Sequence, residues 1–213
     1  MMIDFEPSQT RREFLGLSVA VPAALVIATV SETGAQAPRL EPTPACGDEG
    51  HPTPAQTEGP YFKPGSPLRA SLLEPELSGT RIVVEGTVLG TDCRPIPRAL
   101  VDVWQADAQG RYDNAGVRLR GHQFTDDAGR YRLETIVPGL YPGRTRHFHV
   151  KLQAPHRSVL TTQLYFPGEP ANRRDFIFNP ALVMKVRDAE GGKLASFDFV
   201  LDVGPPGGRR VQP

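Results

Sequence analysis

From Arg81 onward the chain breaks into short apolar segments separated by turn signals. RIVVEGTVLG (81–90), ALVDVWQ (99–105), GRYRLETI (129–136), RHFHVKLQ (146–153), SVLTTQLYF (158–166), ALVMKV (181–186) and LASFDFVLD (194–202) are rich in β-branched and aromatic residues. Between them stand Cys93-Arg94-Pro95, Ala108-Gln109-Gly110, Asp127-Ala128-Gly129, Pro138-Gly139 and Glu190-Gly191-Gly192. These are the residue types that tight turns need. About seven strands at this spacing predict an all-β protein, an antiparallel β-sandwich over residues 81–203.

The flanking segments have no such pattern. Residues 38–80 are rich in Pro, Gly and Glu without a sustained period and read as an extended arm, with a helical turn near Leu72 to Leu77. Residues 204–213 read as a loose tail. The 22 Pro and 21 Gly among 213 residues are scattered rather than periodic. They favour many turns between short strands over long helices. No internal repeat, coiled-coil heptad or phosphate-binding glycine loop interrupts the strands. The length suits one domain with a sizeable core.

Residues 1–37 stand apart from the fold. TRREFLGLSVAVPAALVIATVSETGAQA carries Arg11 and Arg12, then Phe14 and Leu15, then a mild apolar run to about Val30. The run is short and rich in Ala, Gly and Ser for a membrane span, and it has the form of a twin-arginine export signal. A single membrane anchor is the competing reading. Cleavage after Ala35 or after Ala37 would leave a periplasmic or secreted protein with no further membrane attachment. Export places Cys46 and Cys93 in an oxidising compartment, where a disulfide between them would tie the arm to the first turn of the core. Two separate buried thiols are the alternative. The formal net charge is zero, which gives no sign of a nucleic-acid partner. A homo-oligomer stays open.

RHFHVKL carries the first chemical signal. On a strand, alternate side chains share a face, so His147, His149 and Lys151 point one way and Phe148, Val150 and Leu152 the other. Two imidazoles two residues apart on a rigid strand converge on a metal ion. Taken alone, the pair is equally compatible with two histidines on a half-exposed strand. With two Cys in the chain there is no third for a thiolate zinc site. His51, His122 and His156 sit in loop-like contexts and read as solvent-exposed. Lys151, Leu152 and Gln153 follow the pair where a cupin-type iron site wants a Glu. A ferrous site completed by a carboxylate remains open. Phenolate is another donor, suited to a hard ferric ion. Tyr112, in QADAQGRYDN, and Tyr141, in PGLYPGRTRHFH, both stand beside turns, though packing is the commoner role of a tyrosine.

Taken together, LVDVWQADAQGRYDN, FTDDAGRYRLETIVPGLYPGRTRHFHVKL and TTQLYFPGEP closely resemble the intradiol ring-cleavage dioxygenases. TEGPYF (57–62) is similar to that family's N-terminal arm motif, and the resemblance covers about residues 50 to 200. It implies one ferric ion per chain held by Tyr112, Tyr141, His147 and His149. It implies catalytic roles for Arg144, three residues before the first His, for Gln163 in TQLYF, and for Tyr141, which would leave the metal with a proton from the diol. Pro60 and Tyr61 would cover the pocket and touch the ring. The implied partners are a small aromatic diol and dioxygen, and the implied product is a muconate-type diacid. Tyr131 and Tyr165 fall outside the ligand positions and read as core or strand residues, and Trp104 as a core residue behind Tyr112. Gly143 stands where protocatechuate enzymes carry a bulky aromatic, and the helical dimerisation region of catechol 1,2-dioxygenases is absent. GTVLGTDCRPIPRALVDVW with TDDAGRYRLETIVPG also resembles transthyretin-like or carboxypeptidase-regulatory sandwich modules, which bind or brace without chemistry.

Overall fold

Strand alternation is clearest in β1 (Arg81–Gly90), where Ile82, Val84 and Val88 are buried within a partly exposed strand. The strands that follow are β2 (Leu100–Trp104), β3 (Arg120–Phe124), β4 (Arg130–Ile136), β5 (His147–Gln153), β6 (Leu160–Tyr165), β7 (Lys185–Ala189), β8 (Gly192–Ser196) and β9 (Phe199–Leu201). They belong to a computed structural model that describes residues 51–204. The export signal expected over 1–37, the start of the arm, Cys46 and the tail beyond Gly204 lie outside the described residues. Cys93 is exposed in the turn after β1.

One sheet runs β4-β1-β8-β7, with β9 also on β1, and the other runs β3-β2-β5-β6. Pairing is antiparallel except between β1 and β8 and between β1 and β9, which are parallel. The core lies between the sheets: Phe148, Val150, Leu152, Val101, Val103 and Leu164 meet Val84, Leu133, Tyr131 and Phe199. Burying such side chains is the main stabilising term, about 1.5–3 kcal/mol each. Among the described residues no helix is long and apolar enough to cross a membrane.

The arm binds strand edges that would otherwise be open. Thr53 N–H donates to Val200 O (2.8 Å), Gln56 N–H to Thr161 O (2.8 Å) and Arg69 N–H to His122 O (2.9 Å). Leu72 N–H then donates to Glu134 O (2.8 Å), and its side chain is fully buried. The expected helical turn at Leu72–Leu77 is instead a single turn closed by Leu77 N–H on Glu74 O (3.0 Å).

Three strand expectations also change. RGHQF forms the edge strand β3, although it has no apolar alternation; its pairing with β2 and the arm holds it. His122 therefore sits on a strand, not in an exposed loop, and its Nδ1 lies 2.8 Å from Ser66 O. ALVMKV is strand only from Lys185, because Pro180–Leu182 forms a 3-10 turn whose Ala181 N–H is capped by Asn179 Oδ1 at 2.9 Å. LASFDFVLD divides at Phe197-Asp198. There the Asp198 carboxylate accepts Thr87 N–H at 2.7 Å and Phe197 O crowds Gly86, where a Cβ would stand 1.9 Å away.

Gly86→Ala should accordingly destabilise the fold by on the order of 3 kcal/mol, as overpacking against backbone does. Urea unfolding should show a lower midpoint, and an unchanged midpoint would contradict the close approach.

Candidate metal centre

Most of the candidate residues on strands stand on the outer face of the β3-β2-β5-β6 sheet. Arg120, Trp104, His149 and Gln163 stand opposite one another in register across β3, β2, β5 and β6. His147, on the same face of β5, pairs with Tyr165 of β6. Both histidines are buried, while Phe148 and Val150 between and beside them fill the core. The period of a strand thus places both imidazoles on one face of the sheet.

His147 Nδ1 lies 2.7 Å from Thr145 O. A carbonyl can only accept, so Nδ1 carries the proton and Nε2 keeps its lone pair. That Nε2 faces His149 Nε2 at 3.1 Å and receives the Tyr112 hydroxyl at 3.3 Å. Two nitrogens bound at right angles to one ion, each about 2.1 Å from it, stand about 3 Å apart. His149 Nδ1 is buried and has no hydrogen-bond partner among the described residues. Trp104 stacks on His149 with ring centroids 4.8 Å apart. Trp104 therefore lies behind His149, where the sequence suggested Tyr112.

Among the described residues no three of His, Cys, Asp and Glu come together to hold a metal ion. The oxygen that meets the His pair is the Tyr112 hydroxyl, with the Tyr141 ring beside it, and a set of imidazole and phenol donors fits a hard ferric ion. The turn carrying Tyr112 meets the loop carrying Tyr141 because Gly110 and Gly139 lack side chains. A Cβ on Gly110 would stand 2.0 Å from Leu140 O, and one on Gly139 would stand 2.3 Å from Gly110 N. The Tyr112 and Tyr141 rings consequently lie edge to face at 5.9 Å. The Tyr141 hydroxyl is bonded to the Tyr61 hydroxyl at 2.8 Å and makes no hydrogen bond to the His pair.

Tyr61 enters from the arm and stacks on Tyr112 with centroids 4.4 Å apart; Pro60 is exposed at the same turn. Gly59 just before it passes so close to His149 that a Cβ would stand 3.2 Å from the ring. Phe62 lies edge-on to Trp104 at 5.0 Å, with Lys151 Nζ over its ring, 3.5 Å from the centroid, and Glu58 paired to the same lysine. Arg144 Nη2 donates to Gln163 Oε1 at 2.6 Å, and Gln163 Nε2 donates to Thr57 O at 2.9 Å. Gln163 is fully buried. Tyr165 is buried as expected and donates to Gln163 Oε1 at 3.1 Å. Asp175, which the sequence did not single out, pairs with Arg144 at 2.9 Å; it lies 31 residues away in a segment with no motif.

Burial sets the electrostatics. It raises the Tyr112 phenol well above its usual range, against the pull of Arg144. It holds His147 down at about 4 and His149 well below its usual range, with His147 and Arg144 adding to the effect. Tyr61 is raised, chiefly by its bond to Tyr141.

A family model described as Dioxygenase matches residues 57–203, the span that contains the sandwich, the arm motif and every residue of the centre. Protocatechuate 3,4-dioxygenase beta chain of Burkholderia cepacia is 42% identical over 47% of this chain and 50% of its own. Catechol 1,2-dioxygenase 2 of Acinetobacter lwoffii is 32% identical over 65% of this chain and 60% of its own. Thus the chain spans about half to three fifths of the length of these curated relatives. Among solved structures, the dioxygenase domain of a dioxygenase carbohydrate-binding protein fusion from Streptomyces sp. SirexAA-E is 59% identical. It superposes with a TM-score of 0.71 over 72% of this chain and 100% of that domain. The 3-chlorocatechol 1,2-dioxygenase of Rhodococcus opacus 1CP is 28% identical, with a TM-score of 0.66 over 71% of this chain and 73% of its own. The chain belongs to the intradiol ring-cleavage dioxygenase family. The family model matched is that of a dioxygenase and not of a transthyretin-like or carboxypeptidase-regulatory module.

Metal-free protein should lose stability as pH falls. The unfolded chain protonates His147 from its usual 6.5, whereas the folded chain resists until about 4. The unfolded state therefore binds more protons below pH 6.5, and stability drops by on the order of 3 kcal/mol through that window from this residue alone. Urea midpoints measured from pH 7 to 4 should fall, and His147→Gln should flatten the slope. A slope identical in the variant would contradict the buried neutral imidazole.

Proposed function

We propose that Tyr112, Tyr141, His147 and His149 hold one ferric ion per chain, and that the protein opens a catechol-type ring between its two hydroxyl-bearing carbons with dioxygen, giving a muconate-type diacid. The observation that carries this is the convergence of the two Nε2 atoms at 3.1 Å with the Tyr112 hydroxyl at 3.3 Å from one of them. The chemistry a ferric ion supplies in such a donor set is Lewis acidity towards a catecholate.

The chain's own groups do the rest. The Tyr61 hydroxyl gives the Tyr141 hydroxyl a partner at 2.8 Å, so Tyr141 can hold a proton taken from the diol without losing its hydrogen bond. Arg144, always cationic, stabilises negative charge that develops on the ring. Gln163 fixes that guanidinium by accepting from it at 2.6 Å. The turn at Pro60 and Tyr61 roofs the pocket and excludes water from it. At Gly143 a Cβ would meet nothing within 4 Å, and this open rim leaves room for ring substituents. We also propose export through the signal at residues 1–37 and a Cys46–Cys93 bridge, each readable by mass spectrometry of the mature protein.

Ferric-loaded protein should bind one iron per chain and show a visible tyrosinate charge-transfer band. With catechol, protocatechuate, hydroxyquinol and chlorinated catechols as a panel, at least one should give oxygen uptake and a diacid. Tyr141→Phe should shift the band and slow substrate chelation, and His147→Ala should abolish iron binding. A colourless protein that takes up no iron, or a ring opened outside the diol, would overturn the reading.

A further inference from the structure

We propose that Asp175 is a positioning residue whose single buried carboxylate sets both the Arg144 guanidinium and the His147 imidazole. The inference rests on the functional reading above and extends it to a residue distant in sequence from every ligand.

The Asp175 side chain is completely shielded from solvent. Its Oδ1 accepts Arg144 Nε–H at 3.0 Å and Ile177 N–H at 3.1 Å. Its Oδ2 accepts the same Arg144 Nε–H at 2.9 Å and Thr145 N–H at 2.9 Å. Arg144 is thereby gripped at Nε by Asp175 and at Nη2 by Gln163, which leaves its plane no freedom to rotate. Thr145 is the second output. It is fully buried, and its carbonyl accepts the His147 Nδ1–H at 2.7 Å. Anchoring the Thr145 amide therefore anchors the acceptor that selects the His147 tautomer. Such partners of a ligating histidine orient the ring and tune its basicity.

Asp175 is itself held firmly. It follows the 3-10 turn Pro170–Arg173, and its N–H donates to Ala171 O at 3.1 Å. In the same turn Asn172 Oδ1 accepts the Thr145 hydroxyl at 2.6 Å, and Asn172 Nδ2 donates to Phe166 O at 2.9 Å. The segment after β6 thus forms a clamp on Arg144 and Thr145. Its carboxylate is the part whose charge matters, because Arg144 is mostly buried and needs a partner.

The test compares Asp175→Asn, Asp175→Glu, Arg144→Met and the Asp175→Asn/Arg144→Met double variant with wild type. Ferric iron affinity is read by chelator competition, the tyrosinate band by absorption, and kcat and KM on the best substrate of the panel. Asp175→Asn should weaken iron binding about 10- to 100-fold, shift the band and lower kcat at least about 10-fold. In the Arg144→Met background it should still weaken iron binding and shift the band, while its effect on kcat at saturating iron falls well below that in the wild-type background, which separates the two outputs. If Asp175→Asn does not fold, Asp175→Glu carries the test: a shifted band and weakened iron binding support the role. Wild-type affinity and band in a folded Asp175 variant overturn it. So do kcat losses that multiply in the double variant, since a general loss of stability would give that. Wild-type protein that binds no iron sinks the functional reading and this inference together; normal wild-type iron binding with an unaltered Asp175→Asn sinks this one alone.

Discussion

The structure turns on the two-residue period of β5. Phe148, Val150 and Leu152 on one face are buried in the sandwich core, and the same backbone presents His147 and His149 on the other. The core cannot shift by one residue without driving imidazoles into it. Register that is enforced by hydrophobic burial is therefore also register of the two Nε2 atoms. A site built this way inherits the rigidity of the domain instead of needing its own, which is what a preorganised centre requires.

Loops and the arm complete what β5 begins, and each is tied down by close backbone contact. Gly110 and Gly139 bring the Tyr112 and Tyr141 loops together, and the arm lays Tyr61 across both. Phe62 and Glu58 of the arm share Lys151, the third residue on the histidine face of β5. The arm is thus both an edge cover for the sheets and the roof of the pocket, so truncating it should affect fold and site together. Burial has an electrostatic side as well. It keeps both imidazoles neutral and the Tyr112 phenol protonated until something with strong positive charge offsets the desolvation. Arg144 supplies part of that charge and is itself stabilised by Asp175.

Much of this was legible in the chain. The sandwich, the arm and the shared face of His147 and His149 follow from periodicity and turn residues alone. Tyr112 and Tyr141 did not follow from their surroundings, since a tyrosine beside a turn is usually packing; only the family pattern singled them out. β3 was invisible because RGHQF owes its strand state to its neighbours, and the break at Phe197-Asp198 because it depends on Gly86, which lies far away in sequence. Asp175 is the same kind of case. Nothing local marks it, and its role arises from four hydrogen bonds made in the folded chain.

Anomalous diffraction at the iron edge from crystals of the ferric protein is the most direct measurement of the central claim. The account predicts one strong peak per chain, between His147 Nε2 and His149 Nε2 and within bonding distance of the Tyr112 and Tyr141 oxygens. A peak bounded by a carboxylate in place of the tyrosines, or no peak on this face of the sheet, would contradict it.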